Sequence, residues 1–380
     1  MSRPLASRLQ VALLGALVAI ACFQLLLFLV NAFIHPLNTD FAAFYALSRL
    51  GLTHGWGSLY DQVAEHEAWA AVGPMRFYPD MYPPTLSWLL APVALLPLRV
   101  AYALWTATSL GLLLWSWHTL AQGRLLTRAL QLAAACALLP VGLEIFLGQP
   151  VIFIGAAITL AWRLLAAGRP YLAGLALAAL SVKPQIALLV PVALLLAGYG
   201  RTFLAGAGAG VVLLLLAWLT LGFDGVAAYV SHLSAGMAEP DRYGVAQGLS
   251  FWGLIGRGPL ALAAECGAAL LALIAAWRCR GGGPELPIAA GIVGSLVATP
   301  FIHVQDASLL LIAGWLTLRR RGSAFQMAIL GSAYVAADLS ASVIGPVPLL
   351  AVEIVWLLDL VRSPVARPQP RLIAQEAPAS

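Results

Sequence analysis

Repeated apolar stretches constrain this chain more than any other feature. Stretches of about 15 to 25 apolar residues recur along the 380-residue sequence, and short arginine-bearing turns separate them. In lipid, such stretches must form helices or a closed barrel, because the bilayer core offers no water to unpaired backbone groups. Barrel strands alternate polar and apolar residues over about ten positions, which this sequence does not do. The sequence therefore predicts an all-α, polytopic membrane helix bundle.

Composition supports this class. Hydrophobic residues make up 61% of the chain and charged residues 10%, whereas soluble domains are about a quarter charged. The formal charge of +5 comes from scattered turn arginines rather than a basic tract, so no nucleic-acid partner is predicted. The four cysteines lie in or beside apolar spans without a CxxC spacing, which indicates neither a disulfide framework nor a zinc site.

The apolar pattern predicts twelve crossings with both termini in the cytoplasm. The first stretch, Leu9 to Asn31, is longer than the core of a signal peptide, which runs about 7 to 15 residues, so it is expected to remain as a helix. The layout places most basic residues inside, as the positive-inside rule requires. Residues 84–96 could either cross on a tilt or dip into the outer leaflet. The predicted crossings are 10–31, 98–121, 129–147, 150–166, 171–182, 184–200, 203–222, 258–277, 286–300, 304–318, 324–343 and 345–361.

A single membrane domain is expected over 1–362, followed by a flexible cytoplasmic tail over 363–380. Two long extracytoplasmic loops are predicted, at 32–83 and 223–256, and loops longer than about 15 residues usually carry function or disorder. The first is expected to be ordered, because aromatic residues are interleaved with its charges and its sequence predicts helices over 42–52 and 62–72.

Two ionisable residues are chemically unusual. Asp40 follows the first span at the outer side, where it could cap a helix or act as a general base. Lys183 is the only lysine in the chain and lies between two apolar spans, next to Pro184. Its ammonium could bind a phosphate oxygen, or it could reach to lipid head groups.

Other polar residues are assigned to the same outer side. Gln149, in Gly148-Gln149-Pro150, could bind sugar hydroxyls or satisfy a helix end. His303 and Asp306 could form an acid–base couple or a structural cap. Further candidate substrate contacts are the aromatic rim residues Tyr78 and Tyr82, and Arg242, which could instead pair with Asp241.

The order of these motifs resembles glycosyltransferase family 87, whose members are α-mannosyltransferase-like membrane enzymes of the GT-C fold. The resemblance runs from about residue 38 to 320. It rests on Asp40, Leu59-Tyr60-Asp61, Phe77-Tyr78, Tyr82-Pro83-Pro84, Gly148-Gln149, Lys183-Pro184, Thr299-Pro300-Phe301 and Asp306.

The resemblance implies an inverting transfer of a sugar from a polyprenyl-phosphate donor to a glycan or lipid acceptor. Mannose is the sugar that the resemblance favours. Its site would face the exterior of the cell's inner membrane, with Asp40 as the base and with Lys183 and Gln149 as donor or acceptor contacts. No cofactor is expected. Metal use is doubtful, because Asp40 lacks the acidic neighbour found in many GT-C enzymes, although a divalent cation is not excluded. The hydropathy alone also permits a transporter or a lipid-linked-sugar flippase.

Overall fold

The computed structural model describes residues 3–35, 37, 39–74, 81–238, 248–320, 322–342 and 345–362. Within these ranges all regular structure is helical, which confirms the predicted all-α class. Tyr78, Arg242 and the tail 363–380 lie outside the described residues. The α-helices of the described ranges are α1 (Arg3–Ile34), α2 (Asp40–His54), α3 (Gln62–Val72), α4 (Pro84–Ala94), α5 (Leu98–Leu120), α6 (Leu125–Ala137), α7 (Leu139–Leu147), α8 (Val151–Ala166), α9 (Pro170–Leu177), α10 (Leu189–Leu196), α11 (Gly200–Ala238), α12 (Phe251–Ile255), α13 (Pro259–Arg278), α14 (Glu285–Ala298), α15 (Leu310–Arg320), α16 (Ala324–Ser342) and α17 (Val347–Arg362).

Part of the helical bundle has the length and composition of membrane spans. Four helical stretches in the described residues qualify, and a fifth qualifies if α6 and α7, bent by 56°, form one span. The remaining apolar helices are shorter, so the twelve crossings stay a prediction. The four stretches are Arg8–Ile34, Leu98–Leu120, Gly200–Ala235 and Pro259–Arg278.

The helix α4 occupies the segment whose crossing was left open. Its 11 residues rise roughly 16 Å, about half the thickness of the hydrocarbon core. It packs against α2, which belongs to the first predicted loop. This length favours the interpretation that α4 does not cross the bilayer by itself.

Several predicted crossings are broken by 3₁₀ turns, and the breaks surround polar residues. The segment after α9 continues as a 3₁₀ turn over Ala178–Val182, and a second turn spans Pro184–Ile186 before α10. Proline lacks a backbone N–H and disfavours the helical conformation in the residue before it, so the helix cannot run through Pro184. A third 3₁₀ segment, Val304–Leu309, precedes α15. Lys183 and Asp306 lie at these breaks.

The two largest of the three apolar clusters in the described residues hold the bundle together. The larger one is centred on α14, whose residues are buried from Glu285 to Val297. The smaller one lies beneath the start of α2 and includes Phe41, Tyr102 and Trp105. By contrast, most side chains of α1 and of the first part of α11 are exposed, as expected for surfaces that face lipid.

The first predicted loop is ordered around two helices. The predicted helices at 42–52 and 62–72 are confirmed as α2 and α3, which are joined through the 3₁₀ turn Trp56–Ser58. The second outer segment is helical from 223 to Ala238, because α11 breaks at Gly222 (φ 69°) and then continues as a helix. This continuation packs on the first loop, where the rings of Tyr229 and Tyr60 lie 4.7 Å apart.

Candidate active site

Four polar side chains from distant parts of the sequence form one hydrogen-bonded chain. The Gln149 amide donates from Nε2 to Asp40 Oδ2 at 2.5 Å and accepts at Oε1 from Lys183 Nζ at 3.0 Å. Lys183 Nζ also forms a salt bridge with Asp306 Oδ1 at 2.6 Å. We call Asp40, Gln149, Lys183 and Asp306 the polar cluster. It brings together the acid and the amine that the sequence singled out.

Tyr82 joins the polar cluster from the end of the first loop. Its hydroxyl donates to Gln149 Oε1 at 2.9 Å, and its ring centroid lies 5.6 Å from Lys183 Nζ, within the range of a cation–π contact. The Tyr60 hydroxyl donates to the Tyr82 carbonyl at 2.6 Å. Tyr60 thereby ties the fold of the first loop to the position of Tyr82.

The charged groups of the polar cluster differ in exposure. Lys183 is 2% exposed and Asp306 is 0% exposed, whereas Asp40 is only partly buried. Both carboxylate oxygens of Asp306 are engaged, one by Lys183 and the other by the backbone N–H of His303 at 3.0 Å. Asp40 is therefore the carboxylate of the cluster that an external molecule can approach.

Asp40 is held at the first turn of α2. Thr39 precedes it with an extended backbone, as an N-cap residue does, so α2 begins two residues before the predicted helix over 42–52. The Asp40 carboxylate accepts its hydrogen bond from Gln149 across 109 positions of sequence. The contact of this side chain is thus with the polar cluster rather than with its own helix end.

A glycine places Gln149 beside Asp40. Gly148 ends α7 in the left-handed conformation (φ 68°), which glycine adopts without steric cost. A Cβ at this position would lie 2.6 Å from Cβ of Phe41, the residue after Asp40. The absence of a side chain at 148 therefore allows the start of α2 to approach the turn that carries Gln149.

Lys183 is fixed by hydrogen bonds on both sides of its turn. Thr85 Oγ1 donates to the Ser181 carbonyl at 2.8 Å. Thr299 Oγ1 lies 2.8 Å from the Gln185 carbonyl and 2.7 Å from the Ser295 carbonyl, so the two oxygens share its one proton. Thr299 belongs to the Thr299-Pro300-Phe301 motif, whereas Thr85 belongs to no motif. An isolated threonine in an apolar helix gives no signal of its partner, so sequence reasoning had no means of finding it.

The structural cap predicted for His303 and Asp306 is present, whereas their role as an acid–base couple stays a prediction. Asp306 caps the backbone of the 3₁₀ segment through His303 N and also binds Lys183. His303 is partly buried close to the polar cluster. Burial lowers its pKa, although Asp306 and Asp40 act in the opposite direction. The imidazole is therefore disposed to be neutral near pH 7.

Burial and neighbouring charges shape the other acid–base groups. The pKa of Asp40 is raised by burial, while the hydrogen bond from Gln149 and the charge of Lys183 limit the increase. Burial lowers the pKa of Lys183, but the Asp306 carboxylate outweighs it, so the pKa lies above its usual range. Burial raises the pKa of Tyr82 to about 12. The cluster thus contains a fixed cation and a carboxylate whose basicity is increased.

The described part of the chain contains no evident metal-binding site. Within it, no group of three or more His, Cys, Asp or Glu side chains is arranged to hold a metal ion. Tyr78 and Arg242, two predicted substrate contacts, fall outside that part.

The fold and the polar cluster define a helical membrane protein with acid–base groups gathered in its interior. The sequence profile of glycosyltransferase family 87 matches residues 81–304, more than half of the chain, and the chain belongs to this family. It is therefore a membrane glycosyltransferase, and the transporter interpretation gains no support. The matched range contains Tyr82, Gln149, Lys183 and His303, whereas Asp40 and Asp306 lie outside it. No curated protein and no solved structure matches the chain.

Proposed function

We propose that this glycosyltransferase moves a sugar from a polyprenyl-phosphate donor to an acceptor hydroxyl at the extracytoplasmic face. Mannose is the favoured sugar, and Asp40 acts as the general base. The observation that carries the proposal is the Gln149 amide, which contacts the Asp40 carboxylate at one end and the Lys183 ammonium at the other. A base and a cation are the two groups that this transfer requires.

The chemistry explains that requirement. The phosphate of a polyprenyl-phosphate sugar leaves as an ionised group, so no acid is needed to expel it. The acceptor oxygen attacks the anomeric carbon, its proton passes to Asp40, and the bond from the anomeric carbon to the phosphate oxygen breaks with inversion. Asp40 Oδ2 accepts from Gln149, and within the described residues Oδ1 accepts no hydrogen bond, which leaves it available for that proton.

Lys183 is proposed to bind the departing phosphate. Its ammonium has three N–H donors, of which two are directed at Asp306 and Gln149. The third can donate to a phosphate oxygen when the side chains around Lys183, which is 2% exposed, move apart to admit the donor. There the cation would stabilise the charge on the leaving group. Both carboxylate oxygens of Asp306 already accept hydrogen bonds, from Lys183 and from the backbone N–H of His303, so we assign Asp306 a positioning role that it exerts through Lys183.

The remaining predicted residues are proposed to shape the substrate pocket. Tyr82 and His303 adjoin the polar cluster, where a hydroxyl and a neutral imidazole can bind sugar hydroxyls. Tyr78 and Arg242 are retained as proposed substrate contacts from the sequence alone.

The direct test is a transfer assay with purified protein, radiolabelled polyprenyl-phosphate mannose and membrane extract as the source of acceptor. Asp40→Asn should lower the rate about 100-fold or more while the protein stays folded, because a positioned base contributes about 10² to 10⁴ in rate. Asp61→Asn is the matched control. Asp61 is an exposed aspartate of the same loop that caps α3, and asparagine caps equally well. Full activity of Asp40→Asn would remove Asp40 from the role of base.

A further inference from the structure

A cavity separate from the polar cluster lies between the two helices of the first loop. It has a volume of about 560 Å³ and is lined by α2, by α3 and by Leu98 at the start of α5. Pockets for small ligands commonly measure about 300–1,000 Å³. The volume alone is therefore sufficient for a ligand of several rings.

The sequence of the two helices explains why the cavity exists. Ala64, Ala68 and Ala71 are spaced four and three residues apart, so they lie on one face of α3, and Ala46 lines the cavity from α2. Alanine side chains are too short to fill the space between two helices. The space between α2 and α3 therefore stays unfilled, and the alanine side chains make its walls apolar.

Two side chains of opposite charge line this apolar cavity. Arg49 from α2 and Glu67 from α3 both line the cavity and are exposed, and neither forms an ion pair within the described residues. One N–H of Arg49 donates to the Tyr45 hydroxyl at 3.1 Å, and this hydroxyl donates to the Leu96 carbonyl at 2.8 Å. Most of the guanidinium donors are therefore free for a ligand.

The polar groups suit a neutral polyhydroxylated ligand. Arg49 can only donate hydrogen bonds and an ionised Glu67 can only accept them, while each sugar hydroxyl does both. A phosphate would be attracted by Arg49 but repelled by Glu67 in the same wall. The apolar alanine and leucine surface can pack against the C–H faces of sugar rings. The balance of charge thus favours a saccharide over an anionic head group.

The position of the cavity relates it to the polar cluster. Tyr45 and His54, which line the cavity, lie five and fourteen residues after Asp40 on the same helix, or roughly 7 and 21 Å along its axis. At 100° per residue, Tyr45 and Arg49 point away from the side of α2 that carries Asp40. A ligand in the cavity would therefore not contact the reacting atoms, and a glycan bound there would have to run around α2, a helix about 10–12 Å across, for its end to reach Asp40.

We propose that this cavity is a saccharide-binding site that holds the non-reacting units of a glycan acceptor. The proposal rests on the proposed function in one respect, since a glycan acceptor is needed for the bound units to lead to Asp40. The site would raise affinity for longer acceptors without taking part in the chemical step.

A binding experiment tests the site without any turnover. Full-length Asp40→Asn protein in lipid nanodiscs would be applied to a panel of mannan, arabinan, galactan and glucan oligosaccharides of three to six units. We expect binding of at least one class. Replacement of both Arg49 and Glu67 by alanine should weaken that binding about tenfold or more, as the loss of charge-assisted hydrogen bonds implies.

Two further variants separate the site from general effects. Ala68→Phe adds a ring inside the existing cavity, so it should block binding while the protein keeps its thermal stability. Arg99→Ala is the matched control, because Arg99 is an exposed arginine that follows Leu98 and does not line the cavity. It should bind the panel normally.

The outcomes are separable from those of the transfer assay. Failure of every oligosaccharide to bind, or undiminished binding in the Arg49 and Glu67 double variant, would overturn the saccharide site even if Asp40 proves to be the base. Arg49-dependent binding of anionic phospholipid vesicles without any oligosaccharide binding would also overturn it, in favour of a lipid head-group site. Oligosaccharide binding that depends on the cavity would stand even if transfer does not depend on Asp40.

Discussion

Gln149 occupies the middle of the polar cluster, and its amide has a different task at each end. The nitrogen end donates to a carboxylate and the oxygen end accepts from an ammonium and from a tyrosine hydroxyl. The Lys183 ammonium can only donate and the ionised Asp40 carboxylate can only accept, so these two neighbours fix the orientation of the amide. One neutral side chain therefore sets the separation of the base from the cation.

The acid side of the pH profile should report on Asp40. Because burial raises its pKa and the base works only when ionised, transfer should fall at a higher pH than an ordinary aspartate, of pKa about 3.9, would produce. The Gln149 hydrogen bond lowers that pKa. Gln149→Leu should therefore raise the pKa of Asp40 and move the acid limb of kcat/KM to still higher pH.

A remote glutamine serves as the control for this profile. Gln131→Leu removes an amide that donates to the Gln122 carbonyl, far from the cluster, and should leave the acid limb in place. An unmoved limb in Gln149→Leu would mean that another group controls the profile.

The buried pair of Lys183 and Asp306 should show coupling in stability. Either Lys183→Met or Asp306→Asn alone leaves a buried partner without its counter-charge, which costs about 3–5 kcal/mol in soluble proteins. The double variant carries no charge at either position and should recover much of the lost thermal stability. It should not recover transfer, because the cation for the phosphate is missing.

Thermal unfolding in detergent, measured beside the transfer assay, checks both statements. A double variant no more stable than the singles would show that the two residues are not energetically coupled. An active double variant would show that the phosphate does not need Lys183.

The residues of the cluster could be named from the sequence, but their partners could not. Asp40 and Lys183 stand out in an apolar chain because ionised groups are rare there. The contact of Lys183 with Asp306 spans 123 positions, and one sequence carries no record of pairs so distant. The same holds for Thr85, whose partner Ser181 lies 96 positions away.

At the scale of elements, breaks between helices rather than helix interiors place the side chains of the polar cluster. The chain leaves α-helical geometry at Gly148, at Lys183 and before Val304, and each break contributes a side chain to the polar cluster or its edge. Unbroken helices would hold their backbone groups in their own ladder and keep these side chains at helical spacing. Apolar periodicity predicted the helices but not their 3₁₀ endings, because both conformations present similar apolar surface.

Gly148→Ala should impair the enzyme more than it impairs the fold. Alanine in the left-handed conformation costs roughly 1–2 kcal/mol, and its Cβ would in addition push against Phe41. The start of α2, with Asp40, should then move away from Gln149, and kcat should fall.

A second glycine with the same backbone geometry isolates that effect. Gly168 also has a left-handed backbone (φ 73°), but a Cβ there would have no neighbour within 4 Å. Gly168→Ala should lose similar stability and keep its activity. Equal activity losses in the two variants would show that the Phe41 contact is unimportant.

At the scale of the whole molecule, the continuation of α11 packs against the first loop next to Tyr82. Tyr60 contacts Tyr229 on one side and holds the Tyr82 carbonyl on the other, so the second outer segment is connected to the site through packed side chains. The sequence predicted that the loop was ordered, from its aromatic residues and helix signals. It could not predict which segment would cover it, because that depends on the turn at Gly222.

The predicted orientation can be tested by thiol labelling from one side of the membrane. In protein whose four cysteines are replaced by alanine, single cysteines at Gln62→Cys in the first loop and Arg124→Cys between α5 and α6 would both be exposed. An impermeant maleimide added to spheroplasts should label only the former, because charge bias places the latter in the cytoplasm. Labelling of the reverse set would invert the topology and place the cluster at the cytoplasmic face.

The single lysine has a practical consequence for the intact protein. No other side chain offers a primary amine, and the only one present is charged, sealed from water and hydrogen-bonded to two neighbours. A reagent that forms stable products only with amines therefore has one side-chain target, which becomes reactive only when the surroundings of that nitrogen loosen. The mass of one peptide would then record how often the interior of this enzyme opens, without any probe having to be introduced.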